Sequence, residues 1–197
     1  MGNTKRKSSG PSPGLTPLLE PITALQQLIN QFDNQGVIIG GIAASLLGKP
    51  RLTADLDAVL IINIQDLPRL IATAAQQNII PRIPDVENFA FKNRILLLRH
   101  QPSATNVDIS LGILPFELEM VERSVIVEVS SLKLRLPTPE DLIILKAVAN
   151  RPKDLEDIQA IAASHPDLDQ ERVQCWVEQF GEALNLPNLW ENIQKLL

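Results

Sequence analysis

Residues 37–62 read VIIGGIAASLLGKPRLTADLDAVLII. Val37-Ile38-Ile39 is too short for a helix and rich in β-branched residues, which predicts a buried strand. Gly40-Gly41 follows it, and Ile42 to Leu47 forms a short helix closed by Gly48 and Pro50. A second strand is expected from Leu56 to Ile62, with Asp55-Leu56-Asp57 at its opening. Side chains at i and i+2 of a strand share one face, so Asp55 and Asp57 project together while Leu56 packs behind them. Two ionised carboxylates side by side repel each other, and partial burial sharpens the repulsion. A divalent cation between them relieves it, and Mg²⁺ suits an all-oxygen site of one or two carboxylates plus phosphates.

Upstream, Leu19, Ile22, Leu25, Leu28 and Ile29 recur at helical spacing and predict a helix to about Phe32. Residues 1–16 are rich in Ser, Gly, Pro and Lys and read as a disordered arm. No apolar run follows Lys5-Arg6-Lys7, so this opening does not read as a signal peptide. Downstream, Asp66 is expected to cap a helix from Leu67 to about Gln77. Residues 89–100 and 105–111 read as two strands around a turn at Pro102. In the second, Val107 and Ile109 alternate with Asp108 and Ser110, so the two pairs face opposite sides. A short helix is expected over residues 115–123 and a strand over 125–129, then an edge-like strand carrying Leu132, Leu134 and Leu136.

Thr138-Pro139-Glu140-Asp141 is a strong helix start, with threonine as the cap and proline in the first turn. Helices follow to about Asn150, from Lys153 to His165, over 170–184 and over 187–197. The expected class is α+β: a short mixed sheet flanked by helices, with a C-terminal helical bundle segment. The division is an arm (1–16), a core (17–137) and a helical subdomain (138–197).

The composition narrows the function. The net charge is −5, and the four basic and nine acidic residues from Arg151 onward account for all of it. A site for nucleotide or RNA is therefore expected in the first 150 residues, steered by local cations. Aromatic residues make up 4% with no tyrosine, which argues against a platform of stacked rings for single strands. The single cysteine, Cys175, excludes an intramolecular disulfide and a thiolate cluster, and reads as a buried inert thiol. No stretch reaches the roughly 18 apolar residues of a membrane span, and a cytoplasmic location is expected.

Asp108 supplies a third acid amid β-branched neighbours in another strand. Three aspartates on adjacent strands could hold two metals about 4 Å apart. Gly40-Gly41 permits close approach of a ligand to the backbone, and the N–H groups of the helix turn it opens favour a phosphate. The chain contains no GxxxxGK[ST], so this is not the P-loop arrangement.

Ile39-Gly40-Gly41, thirteen residues, then Asp55-Leu56-Asp57-Ala58 resembles the signature of the DNA polymerase β-like nucleotidyltransferase superfamily. With Gly48, Arg51 and Thr53 included, the stretch looks closest to minimal nucleotidyltransferases and AbiEii-type toxin relatives. The resemblance implies a metal-dependent enzyme moving a nucleoside monophosphate from a nucleoside triphosphate to an acceptor. It implies Asp55, Asp57 and Asp108 as catalytic residues and ligands for Mg²⁺ or Mn²⁺. It implies Gly40, Gly41, Arg51, Thr53 and Lys146 around the nucleotide. Pro139-Glu140-Asp141-Leu142, Lys146 and Arg151-Pro152-Lys153-Asp154 extend the likeness, which implies Asp154 as a helix cap or an orienting residue; Lys153 reads as an orienting or a surface residue. The acceptor is left open between RNA, a protein side chain and a small hydroxyl compound. Two other readings keep the fold: an inactive nucleotide-binding regulatory module, and the toxin of a toxin–antitoxin pair with an antitoxin-like partner protein.

Taken singly, Arg51 could fork onto a phosphate or be an ordinary surface arginine, and Lys146 could snorkel from its apolar helix. His100 and His165 read as non-catalytic. Phe89, Phe91 and Phe116 are expected in the core or packing turns, and Trp176 and Trp190 between the C-terminal helices.

Overall fold

The computed structural model describes residues 16–197. The expected arm lies outside the described residues, apart from Thr16, which opens a 3₁₀ turn over Thr16–Leu18. Helix α1 (Leu19–Asn30) leads into β1 (Gly36–Ile39), α2 (Gly40–Leu47) and β2 (Leu56–Leu60). Then come α3 (Leu67–Gln76), β3 (Ile79–Pro81), α4 (Val86–Asn93), β4 (Ile95–His100) and β5 (Thr105–Leu111). After α5 (Pro115–Glu122), a hairpin of β6 (Val125–Val129) and β7 (Leu132–Leu136) precedes α6 (Pro139–Ala149). Helices α7 (Pro152–Ser164), α8 (Gln170–Ala183) and α9 (Leu189–Ile193) complete the chain.

The main sheet has the order β1-β2-β5-β4-β3, with β2 and β5 parallel and the other neighbours antiparallel. This mixed sheet with flanking helices is the α+β architecture the sequence implied. Its two faces differ sharply. Leu56, Ala58 and Leu60, Val107, Ile109 and Leu111, and Leu96 and Leu98 are at most 2% exposed. On the opposite face, Asp57, Asn106, Asp108, Ser110, Leu97 and Arg99 are half-buried or exposed. Burial of the apolar face in β2, β4 and β5 fixes their register, because a slip of one residue would send the carboxylates into the core.

Several local expectations need correction. Residues 89–100 are not one strand: Val86–Asn93 is helix α4, and β4 begins only at Ile95. Arg94, between them, takes a left-handed conformation (φ 57°) that stops the helix. Asp66 makes no cap; Asn63 instead accepts from the Gln65 N–H at the preceding 3₁₀ turn. The last helix is a five-residue α9 followed by a 3₁₀ turn over Gln194–Leu196. Cys175 is exposed rather than buried, accepting a hydrogen bond from Gln179. Phe89 and Phe91 are 36% and 63% exposed, so they are not core residues. Phe116 is buried, edge-on to Trp176 and Phe180 of α8. Thr138 does cap α6, accepting from the Asp141 N–H.

Candidate functional site: an acid row facing a cationic wall

The two central strands position the acids. Asp57 of β2 and Asp108 of β5 are direct partners in the parallel register, so their side chains leave the sheet on the same face. Asp55 lies just before β2 and is exposed; its Oδ1 accepts from Asn106 Nδ2 at 3.1 Å. Asn106 in turn accepts from Arg99 Nε at 3.3 Å. Asp108 is held from the other side, where Arg82 Nη2 donates to both its oxygens at 2.7 and 3.0 Å.

The β1–α2 turn closes against this row. Gly40 has φ +66°, and a Cβ placed on it would lie 2.0 Å from Asp57 Oδ2. A Cβ on Gly41 would meet Thr53 Oγ1 at 2.4 Å. Both glycines therefore serve close approach, and Gly40 also serves a conformation that other residues adopt at a cost. Thr53 donates to the Asp55 carbonyl at 3.3 Å and shapes the loop between them.

A cavity of about 470 Å³ lies over the row, lined by Gly40, Gly41, Asp55, Asp57 and Asp108 on one side. Arg51, Lys146, Arg151 and Lys153 line it too. The structure thus gathers Thr53 and every sequence-implied site residue except Asp154 around one space. A second hollow, on α8, is lined by Glu171, Gln174, Cys175, Glu178, Gln179 and Glu182 and brings no cation to its acids.

Charge compensation organises the cationic wall. Lys146 is only 4% exposed, and its Nζ donates to Asp154 at 2.9 Å and pairs with Asp157 at 2.8 Å. Arg51 forks onto Asp157, Nε to Oδ1 at 2.7 Å and Nη2 to Oδ2 at 2.9 Å. Arg151 pairs with Asp154, which is fully buried. Asp154 thus sits behind the wall, holding Lys146 and Arg151 rather than facing the cavity. Two aspartates hold three cations, and Lys153 adds a fourth at the rim.

Electrostatics separate the two groups of acids. Burial pushes the Asp57 carboxyl above its ordinary value and the Asp55 charge adds to this, against Lys146, Arg151 and Lys153. Burial also raises Asp108; Arg82 opposes the rise, and the charges of Asp57 and Asp55 reinforce it. Burial would raise Asp154 and Asp157 as well, but hydrogen bonds from Arg151 and Lys146, and from Arg51 and Lys146, hold them below the ordinary range. The first group is charge-frustrated and the second satisfied.

The all-oxygen set of Asp55, Asp57 and Asp108 fits a hard divalent cation, since a positive ion relieves the repulsion between them. The three do not close into a finished cage: among the described residues, no three His, Cys, Asp or Glu side chains are grouped to enclose a metal. Asp108 is turned toward Arg82.

Arg82, Asn106 and Asp157 were not among the residues singled out in the sequence. Asn106 stands two residues before Asp108 and so shares its face, a signal that alternation alone could have given. No local pattern marks Arg82, whose partner lies 26 residues away, or the pairing of Asp157 with Arg51 across 106 residues.

Comparison with known proteins agrees with this architecture. An antigenic nucleotidyltransferase-like protein from Paracoccidioides brasiliensis superposes with a TM-score of 0.54 at 16% identity, over 89% of this chain and 93% of that one. The antibiotic-resistance factor ANT(2'')-Ia superposes at 0.53 with 14% identity, over 84% and 93% of the two chains. Its complex with adenylyl-2"-tobramycin gives 0.52 at 14% identity, over 83% and 98%. At such identities the likeness establishes the fold. No curated protein matches the chain. The family described as "Nucleotidyltransferase of unknown function" (DUF6036) matches residues 16–183, and the chain belongs to that family.

Proposed function

We propose that the protein transfers a nucleoside monophosphate from a nucleoside triphosphate to the hydroxyl of an acceptor, releasing pyrophosphate, with a divalent cation at Asp55, Asp57 and Asp108. The observation that carries this reading is the side-by-side register of Asp57 and Asp108 beneath a cavity whose other wall is cationic. Acids alone would repel a triphosphate, and cations alone would not explain the crowded acids. A metal–triphosphate complex suits both.

In this reading the backbone of Gly40 and Gly41 lets the phosphates approach the sheet closely. Arg51, Arg151 and Lys153 face the phosphates from the opposite wall, and Lys146 lends its charge from beneath. Bound Mg²⁺ or Mn²⁺ would neutralise the charge that builds on the phosphoryl oxygens and the pyrophosphate. The acceptor oxygen forms a bond to the α-phosphorus as the bond to the β-phosphate oxygen breaks. Asp108, held at the end of the row by Arg82, takes the hydroxyl proton.

The acceptor decides the biology. ANT(2'')-Ia, which shares the fold, is described with an adenylylated small molecule. The toxin reading keeps the same chemistry with growth arrest as its biology, and RNA or a protein side chain remains an alternative acceptor. The test incubates the full chain with Mg²⁺ and each labelled nucleoside triphosphate, alone and with total RNA or cell lysate, beside an Asp55→Ala/Asp57→Ala variant. Label moving to an acceptor only with the intact acids supports the reading and identifies the acceptor. Transfer that persists in the variant refutes it.

A further inference from the structure

The three acids are not held alike. Asp55 is tied to Asn106, and Asp108 is tied through both oxygens to one nitrogen of Arg82. No ion pair or side-chain hydrogen bond is found for Asp57 among the described residues; its constraint is the backbone of Gly40. A row runs across the sheet through Ile39, Asp57, Asp108 and Leu97 as successive register partners. Arg82 ends that row: its N–H donates to the Leu97 carbonyl at 3.2 Å, just past β3. Its side chain reaches Asp108, the register partner of Leu97 on the next strand.

The placement is specific. The Arg82 side chain is 19% exposed, and Asp108 is its one ion-pair partner among the described residues. Its Nε is buried without a hydrogen-bond partner. A surface arginine would turn that nitrogen to water; here the side chain accepts the loss of one bond to keep Nη2 on the carboxylate. Without Arg82, Asp108 faces Asp57 and Asp55 with nothing on its other side, and repulsion swings it away from the row. The cationic wall comes from α6, the segment that follows it and, through Arg51, the loop before β2. Its Lys146, Arg151 and Lys153 act on Asp57, and none of its cations pairs with Asp108 among the described residues.

We infer that Arg82 is a positioning residue for the acceptor side of the reaction, fixing the direction of Asp108 while leaving the triphosphate to Asp55, Asp57 and the cationic wall. This rests on the nucleotidyltransferase reading above. It assigns the nucleotide and the acceptor to opposite ends of the acid row. Arg82 acts only through Asp108, so its removal separates two quantities that a general structural defect would lower together.

The test compares Arg82→Gln and Arg82→Lys with the wild type in two measurements. One is affinity for a nucleoside triphosphate with Mg²⁺, by direct titration. The other is the rate of label transfer to the lysate fraction that the wild-type chain labels. Arg82→Gln is expected to bind the nucleotide within about twofold of wild type while transfer falls about 10–100-fold, the usual effect of removing a group that orients a ligating side chain. Arg82→Lys, which keeps the charge but not the planar fork, recovers part of the rate. If Arg82→Gln fails to fold, Arg82→Lys decides alone by the same split. Unchanged transfer, or binding and transfer falling together in a folded variant, overturns the inference. A wild-type chain that neither binds nor transfers defeats the nucleotidyltransferase reading itself, and the role of Arg82 with it.

Discussion

Asp57 and Asp108 stand opposite each other on two parallel strands, and burial raises Asp108 toward protonation with the charge of Asp57 adding to it. Parallel neighbours in mid-sheet are expensive places for like charges, because desolvation and repulsion act together. The fold does not relieve this with a direct cation on Asp57. It places a glycine turn against that residue and keeps its lysine and arginines across a cavity.

Gly40→Ala tests the turn. The left-handed backbone costs a non-glycine residue about 1–2 kcal/mol, and the new methyl would collide with Asp57 Oδ2. The expected outcome is a fall in Tm of at least about 3 °C, together with a loss of transfer of about 100-fold, the scale of a displacement near 1 Å. Thermal melts and label transfer check it.

Lys146→Met tests whether the cationic wall is also a structural element. The lysine is buried between Asp154 and Asp157, and removing it leaves two buried carboxylates short of a partner. Breaking a buried pair from one side costs about 3–5 kcal/mol, so Tm is expected to fall by roughly 10 °C. Lys133→Met is the control: that lysine is 74% exposed in its contact with Glu128, and its loss should shift Tm little.

Acid should unfold the protein through the same triad. Asp154 and Asp157 titrate below the ordinary carboxylate range when folded, so their stabilisation is present above the unfolded-state value. It is lost as pH falls through that value toward the lowered folded ones. Asp141 behaves oppositely: burial raises it despite Arg172, so its contribution favours the folded state in acid and fades as pH rises through its raised value. Thermal melts between pH 7 and pH 3 are expected to show Asp157→Asn well below wild type at neutral pH and converging with it in acid. Parallel curves would contradict this.

Much of the site was readable because it is local. The alternation in β5 put Asp108 on the polar face, the Asp55-Leu56-Asp57 triplet put two acids together, and Thr138 announced α6. The errors came where apolar runs carry no period. Phe89-Ala90-Phe91 and Ile95 to Leu98 look like one strand, and only the left-handed Arg94 divides helix from strand. Ile79-Ile80-Pro81 is too short to announce an edge strand, so Arg82 carried no signal. Its relation to Asp108 depends on the strand order β5-β4-β3, which no local pattern encodes. Asp157 was hidden in the same way, as an ordinary acid in the first turns of a helix until the fold brings Arg51 to it.

Titration of a nucleoside triphosphate against the full chain, with Mg²⁺ or with EDTA, and against Asp57→Asn, tests the central claim most directly. Wild-type binding is expected to weaken at least about tenfold without the metal, and Asp57→Asn should bind poorly in either condition. Equal affinity in all of these conditions would contradict a cation held at the acid row.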